Sequence, residues 1–254
     1  MKFRCERDAL VEQLSTASRA VSSRGGALPV LTGIHLKASD DVLTMTGSDL
    51  EITVRSSIAV SVSEPGEAVL PSRIAVDIVR SLDSGAIDVE VSGDEAKISG
   101  GRSQFAVRTL PVDDFPSIAD PTGDQVSVAT VDLTAGLKQV VRAASGDDAR
   151  PILTGVLMSA EDGSLRLVAT DSYRLAVRDL PDATVLSEGQ KVLVPSRALD
   201  ELTRVLGDSD EVTVCLGERE VSFDVVIEDG SVQVTTRLIE GEFPNYRQLI
   251  PSSY

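Results

Sequence analysis

The chain carries an internal duplication, which limits the architectures open to it. Five short motifs recur in the same order, at offsets that grow from 122 to 128 positions: Leu28-Pro-Val-Leu-Thr-Gly33 as Arg150-Pro-Ile-Leu-Thr-Gly155, Ser48-Asp49 as Thr170-Asp171, Leu70-Pro-Ser-Arg73 as Val194-Pro-Ser-Arg197, Arg80 as Arg204, and Phe115-Pro116 as Phe243-Pro244. A period this long exceeds the roughly 20–50 residues of solenoid repeats, so each copy is expected to have its own core. We predict two homologous domains, 1–122 and 123–250, joined through the turn-rich segment 120–124.

Each copy has the pattern of an α+β domain. Apolar residues recur at helical spacing over 8–21 and 72–82, with Ser72 predicted as an N-cap, and again over 132–143 and 196–206. Alternating apolar and polar residues predict short strands at 43–46, 50–54, 87–91, 96–98, 105–107, 212–216, 221–225 and 232–238. Short strands separated by turn signals favour antiparallel sheets, with two helices per domain packed on them.

The composition leaves little for catalysis. The 254 residues include one histidine, His35, no tryptophan, and two distant cysteines, Cys5 and Cys215. The sequence therefore contains no pattern for a histidine-dependent triad, a zinc knuckle or a glycine-rich phosphate loop. We predict that the protein is not an enzyme and binds no metal or cofactor. His35 is predicted to face solvent or a neighbour on a strand, and the cysteines to act as small apolar residues. Two cysteines, no secretory signal and no apolar run of membrane length favour the cytoplasm and no membrane partner.

The charge is strongly acidic but unevenly distributed. The formal net charge is −16, from 24 basic and 40 acidic residues, which taken globally opposes nucleic-acid binding. Four helix windows, 7–24, 72–82, 132–142 and 196–206, nevertheless hold nine basic and six acidic residues, which leaves a net −19 elsewhere. Two basic pairs, Arg73 with Arg80 and Arg197 with Arg204, are seven residues apart, and Lys138 and Arg142 are four apart. At these spacings the two members of a pair share one helical face. This predicts helices that contact phosphates without reading bases.

Several segments resemble a known family over the whole chain. They are Met1-Lys2-Phe3, Leu28-Pro-Val-Leu31, Ser48-Asp49-Leu50-Glu51, Thr170-Asp-Ser-Tyr-Arg-Leu-Ala176 and Glu242-Phe-Pro-Asn-Tyr-Arg247. The chain resembles the first two of three domains of the bacterial DNA polymerase III beta subunit family, the sliding clamps. The resemblance implies the DNA clamp fold and a homodimeric ring of six domains, with helices lining the hole. Residues 251–254 would begin a linker to a third domain, and a chain without that domain is expected to be mainly monomeric.

The resemblance also implies a partner-peptide groove in the second copy. Its partners would be the DNA polymerase III alpha subunit, the clamp loader and other proteins with clamp-binding motifs. The implied groove residues are Leu153, Thr170, Ser172, Arg174, Leu175, Pro244 and Leu249. Ser172 stands where the family commonly has glycine, and Gln248 where it commonly has a basic residue. Asp49 and Asp171, shared by both copies, are instead predicted to be turn or cap residues.

Duplex DNA, bound without sequence preference, is the other implied partner. Family analogy and helix placement together give the DNA-facing candidates: Arg24, Arg73, Arg80, Lys138, Arg142, Arg150, Arg197 and Arg204. The predicted function is that of a sliding clamp, a processivity factor without catalysis. Two alternatives stay open: a protein-interaction module that never encircles DNA, and a carboxylate-dependent enzyme.

Overall fold

The computed structural model divides the chain into two compact units. It describes residues 1–22, 28–119, 122–161, 163–181, 183, 185–187, 189–207 and 209–250, without the side chain of Leu249. The first unit comprises Met1–Asp120 together with Val226–Val234, and the second comprises Pro121–Val225 together with Thr235–Tyr254.

The first unit is built of short strands and two helices. Its strands are β1 (Lys2–Glu6), β2 (Gly33–Ser39), β3 (Val42–Ser48), β4 (Ile52–Ala59), β5 (Ser61–Glu64), β6 (Gly66–Pro71), β7 (Ala86–Ser92), β8 (Glu95–Gly100) and β9 (Ser103–Arg108). Its helices are α1 (Arg7–Ser18) and α2 (Ser72–Ser81). The strands form an antiparallel sheet in the order β5–β1–β7–β8–β9 and a second run in the order β4–β3–β2–β6.

One apolar core joins both sheets and both helices of the first unit. Phe3 from β1, Ile34 from β2 and Met45 from β3 are at most 1% exposed, as are Leu14 of α1 and Val79 of α2. Burying a side chain of this kind stabilises the fold by about 1.5–3 kcal/mol. The strict alternation along β2 sends its even-numbered residues into this core and its odd-numbered residues to the opposite face.

The second half of the chain repeats the plan. Its strands are β10 (Asp124–Ala129), β11 (Gly155–Glu161), β12 (Ser164–Thr170), β13 (Leu175–Leu180), β14 (Lys191–Pro195), β15 (Glu211–Leu216), β16 (Glu220–Ile227) and β17 (Gly230–Arg237). Its helices are α3 (Thr130–Val140) and α4 (Ser196–Val205). The hydrogen-bonded orders are β13–β12–β11–β14 and β10–β15–β16–β17. The α+β class, the antiparallel sheets and the two helices per copy are thereby confirmed.

The repeated Pro-Ser-Arg motif marks the start of a helix in both copies. Pro71 and Pro195 each end a strand, with φ of −53° and −52°, and α2 and α4 begin at the next residue. The prediction that Ser72 is an N-cap is wrong. Pro71 occupies that position, and Ser72 is the buried first residue of α2. A proline φ is already close to the helical value, so the strand turns into the helix without a side-chain cap.

Two further boundaries differ from the sequence prediction. The strand predicted at 50–54 begins at Ile52, because Leu50 lies in a turn with φ of +75°. The helix predicted over 132–143 begins earlier and ends at Val140, where a 3-10 turn, Val141–Ala143, continues it. The two cysteines are buried on strands as predicted, and burial raises the pKa of the Cys5 thiol to about 12.

Candidate partner groove and nucleic-acid interface

The turn between β12 and β13 is built by its own side chains. The Asp171 Oδ1 atom accepts hydrogen bonds from the backbone N–H of Tyr173 and of Arg174, both at 2.9 Å. The Thr170 hydroxyl donates to the Arg174 carbonyl oxygen at 2.7 Å. The two backbone N–H donors, of which that of Tyr173 has the larger effect, hold the pKa of the Asp171 carboxyl below its ordinary value. The prediction that Asp171 is a turn residue is confirmed.

The first unit contains the same turn between β3 and β4. The Asp49 Oδ1 atom accepts from the N–H of Glu51 at 3.0 Å and of Ile52 at 2.8 Å. The residue after each aspartate has a left-handed backbone: Leu50 at φ +75° and Ser172 at φ +80°. Residues other than glycine adopt this conformation at a cost of about 1–2 kcal/mol. The geometry explains why glycine suits the position that Ser172 occupies.

We expect the substitution Leu50→Gly to stabilise the first unit by about 0.5–1 kcal/mol. Leu50 is 41% exposed, so its replacement loses little buried apolar surface. Glycine adopts the left-handed backbone at this position without the steric cost that leucine has. Urea unfolding should show a higher midpoint at unchanged slope. The control is Glu51→Gly, at the exposed neighbour outside the left-handed region, which should lower the midpoint. A fall for both variants would contradict the strain argument.

Arg150 is held against this turn in the second unit. Its guanidinium donates to Asp147 Oδ2 at 2.9 Å, to Ser172 Oγ at 3.3 Å and to Ser145 Oγ at 3.5 Å. It also directly precedes the 3-10 turn Pro151–Thr154, which contains Leu153. The structure therefore places Arg150 beside two predicted groove residues. Its predicted role at DNA stays a prediction.

The apolar part of the candidate groove rests on a small buried cluster. Leu175 is partly buried and packs against a cluster formed by Leu157, Val168, Leu193 and Tyr246, with Ile152, Ile239 and Phe243 at its edge. Leu153 is buried at 8% exposure, Thr170 is also buried, and Ser172, Arg174 and Pro244 are exposed. The side chain of Leu249 lies outside the described residues.

A cavity of about 1020 Å³ lies beside this cluster. Of the predicted groove residues, Pro244 lines it, together with Leu157, Leu193 and Tyr246. Sequence reasoning missed these last three residues. The duplicated Phe-Pro motif was the available signal, because it marks the segment that folds back over the sheet and carries Tyr246.

An ion-pair network borders the cluster. Arg166 on β12 binds Asp179 on β13 through two bonds of 2.6 and 3.0 Å, and Glu161 at 2.8 Å. Arg247 reaches the same Glu161 oxygen at 2.6 Å. The bonds from Arg166 hold the pKa of the Asp179 carboxyl below its ordinary value. Arg247 thereby ties the segment after Phe243-Pro244 to the end of β11.

The basic candidates on the helices lie on solvent-exposed faces. Arg73 and Arg80 are exposed on α2, whose buried side carries Ala75, Val76 and Val79. The remaining exposed candidates are Lys138 on α3, Arg142 in the 3-10 turn after it, and Arg197 and Arg204 on α4. Arg73 and Arg80 therefore share the exposed side of α2, and Arg197 and Arg204 share that of α4. Arg142 lies beyond the end of α3, so the predicted α-helical spacing that pairs it with Lys138 does not hold. Arg24 lies outside the described residues.

The positive charge of the helices is smaller than the sequence windows suggested. Within their structural bounds the helices hold six basic and six acidic residues: Arg7, Arg73, Arg80, Lys138, Arg197 and Arg204 against Asp8, Glu12, Asp77, Asp132, Asp200 and Glu201. The surplus of three came from Arg19 and Arg142, which lie beyond the helix ends, and from Arg24, which lies outside the described residues. Arg204 is also paired with Asp200 at 2.7 Å and Glu201 at 3.4 Å. The helices are thus neutral within an acidic protein.

Comparison with known proteins agrees with this fold. Residues 1–119 match the N-terminal domain of the DNA polymerase III beta subunit, and residues 127–245 match its central domain. The beta sliding clamp of Streptomyces coelicolor is 33% identical over 265 residues, covering 100% of this chain and 68% of that protein. The beta sliding clamp of Staphylococcus aureus strain Mu50 is 35% identical over 270 residues, covering 100% and 69%.

Solved structures of sliding clamps share the fold. The Pseudomonas aeruginosa clamp bound to griselimycin and the Bacillus subtilis clamp each superpose with a TM-score of 0.90 at 33% identity. In both cases the match covers 100% of this chain and 68% of the other.

Tandem α+β domains of this kind define the DNA clamp class of replication proteins. The chain belongs to the DNA polymerase III beta subunit family, the bacterial beta sliding clamps. Its role is that of a processivity factor, an accessory subunit of the polymerase without catalysis of its own. The family match does not favour the interaction-module and enzyme alternatives. In the part of the chain that the structure describes, no helix combines the length and apolar character of a membrane span.

Proposed function

We propose that this protein works by topology, as part of a homodimeric ring that encircles duplex DNA in the bacterial cytoplasm. The observation that carries the proposal is the match of two consecutive units to two consecutive clamp domains. The exposed arginines of α2 and α4 support it, because they occupy equivalent places in both copies. We assign the domains to 1–122 and 123–250.

Weak contacts suit such a ring. Neutral helices in a protein of net charge −16 hold DNA less tightly than a strongly basic surface does. The exposed arginines of α2 and α4 would touch phosphates in passing. Arg73, whose Nε lies 4.0 Å from Asp77 Oδ2, and Arg204, which pairs with Asp200 and Glu201, would do so less because these carboxylates compete. Phosphate contacts carry no base information, so the bound duplex can slide.

We further propose that the second unit docks linear motifs of the polymerase alpha subunit, the clamp loader and repair proteins. The β12–β13 turn supplies Thr170, Ser172 and Arg174 as polar contacts, while Leu175 supplies apolar surface. Leu153, Pro244 and Leu249 complete the proposed groove. An apolar anchor beside a ring of backbone donors and acceptors is a common way to hold an extended peptide.

Retention on circular DNA tests the topological proposal. The complete protein is loaded by its clamp loader onto a nicked circular plasmid, and the plasmid is then cut at one site. We expect retention on the circle in high salt and loss after linearisation. Blocking both DNA ends with bulky protein should restore retention. Equal retention on open linear DNA and on the circle would show a conventional binder instead.

A further inference from the structure

The sheet β4–β3–β2–β6 turns a second face away from the core, and this face is polar except at Val69, which is buried in a small apolar cluster with Val30 and Leu31. The strand register aligns residues in two rows across the four strands. The His35 row contains Val69, His35, Thr46 and Arg55, and the Lys37 row contains Glu67, Lys37, Thr44 and Ser57. Residues aligned in register lie on one face of a sheet. Three basic side chains therefore share this face.

The equivalent face in the second unit shows what the fold itself requires. Its first row, Leu193, Leu157, Val168 and Val177, is apolar, and Tyr246 packs on it at 5% exposure. Its second row, Lys191, Ser159, Arg166 and Asp179, contains the bidentate pair of Arg166 with Asp179. One copy thus has an apolar row at the place where the other has His35, Thr46 and Arg55, so the polar row of the first unit is not a demand of the architecture.

A cavity of about 520 Å³ lies between the polar face and the connecting segment 112–118. Arg55 Nη2 donates to the Ile118 carbonyl oxygen at 3.1 Å, and the His35 ring stacks on Phe115 with centroids 5.1 Å apart. These two contacts fix the segment over the sheet. The cavity wall combines Lys37, Arg55, His35 and the hydroxyls of Thr44 and Thr46 with apolar surface from the segment.

Glu67 is the single carboxylate among the described residues that line this cavity. It receives Lys37 Nζ at 3.1 Å and His35 Nε2 at 3.1 Å. The bond from Lys37, with a smaller contribution from His35, holds the pKa of the Glu67 carboxyl below its ordinary value. One carboxylate therefore serves two basic groups. Arg55, which bonds the Ile118 carbonyl oxygen at 3.1 Å and Gln233 Oε1 at 3.4 Å, is a third basic group in the cavity wall.

We propose that this cavity binds a small organic phosphate monoester. The phosphate would sit among Lys37, Arg55 and the threonine hydroxyls, because a tetrahedral dianion accepts several donors at once. Its organic part would lie against Val112, Phe115 and Pro116 of the connecting segment. The cavity volume falls in the range of small-molecule sites, about 300–1,000 Å³. This site is separate from the partner groove and does not depend on the proposed function.

The test titrates the chain with phenyl phosphate and follows backbone amide signals by NMR. We expect saturable binding at one site, with a dissociation constant of about 1 mM or tighter. Shifts should concentrate on β2, β3 and the connecting segment. Inorganic phosphate should bind more weakly, and phenol should not bind.

Two variants separate a built site from a charged surface. Lys37→Met should raise the dissociation constant at least about tenfold, and Glu67→Gln should lower it several-fold because the competing carboxylate is lost. The control Lys191→Met removes an exposed lysine from the equivalent sheet of the second unit and should change nothing. Weaker binding by Glu67→Gln, equal losses for the two lysine variants, or shifts that do not saturate would overturn the proposal.

Discussion

The substitution Leu175→Asp should weaken binding of a clamp-binding-motif peptide at least about 30-fold, a loss of about 2 kcal/mol. Leu175 is partly buried beside Leu157, Val168 and Tyr246, so its side chain presents apolar surface at the edge of a firm cluster. When the peptide binds, its apolar side chain would have to remove water from the introduced carboxylate, and burying an unpaired charge is costly. Fluorescence anisotropy with a labelled peptide measures the loss.

Two further variants serve as controls for this result. Leu175→Ala removes apolar surface without adding charge and should show an intermediate loss, while urea unfolding reports any change in stability. Val131→Asp makes the same kind of change at a 77% exposed position of α3 and should leave peptide binding unchanged. If Leu175→Asp bound the peptide as tightly as the unmodified chain, the groove assignment would be wrong.

The duplication made the fold predictable. Each motif that recurs occupies the same structural place twice: Pro-Ser-Arg at the strand-to-helix junction, and Asp49 and Asp171 in identical turns. Such positions depend on local backbone chemistry, which a sequence displays directly.

The details of the site depend on tertiary packing, and the sequence showed them less well. Nothing local marks Tyr246 as the residue that covers the sheet face of the second unit, because the segment after Pro244 must first fold back. The left-handed backbone of Leu50 was hidden for a related reason: leucine is a poor residue for that conformation, and the bonds to Asp49 impose it. His35 was correctly expected on a strand beside a neighbour, but its partners come from β6 and from segment 112–118.

The two copies differ at the outer sheet face, where the fold accepts either an apolar or a polar row of side chains. Tyr246 and Phe243 pack on the apolar row of the second unit, whereas the first unit has His35, Thr46 and Arg55 in the corresponding row. The differences of a duplicated protein therefore point to sites more directly than its shared motifs do. The proposed phosphate site follows from this comparison, whereas the proposed groove was implied by the family resemblance.

Removal of the helix arginines is the second large expected effect. A variant with Arg73, Arg80, Arg197 and Arg204 changed to alanine should bind duplex DNA about tenfold to thirtyfold more weakly at low salt. The slope of log affinity against log salt should become shallower by about 0.9 for each phosphate that is no longer neutralised. Their exposed side chains predict little change in fold stability. Anisotropy titrations between low and moderate salt measure both quantities.

A matched variant separates position from overall charge. Arg102, Arg108, Arg178 and Arg237 are exposed arginines outside the helices, and their replacement by alanine lowers the net charge by the same four units. If the helices face the duplex, this variant should lose far less affinity than the helix variant. Within the helix set, Arg80→Ala should cost more than Arg204→Ala, because Asp200 and Glu201 already neutralise Arg204. Equal losses for the two fourfold variants would mean that DNA affinity follows net charge alone, and the helices would not be the interface.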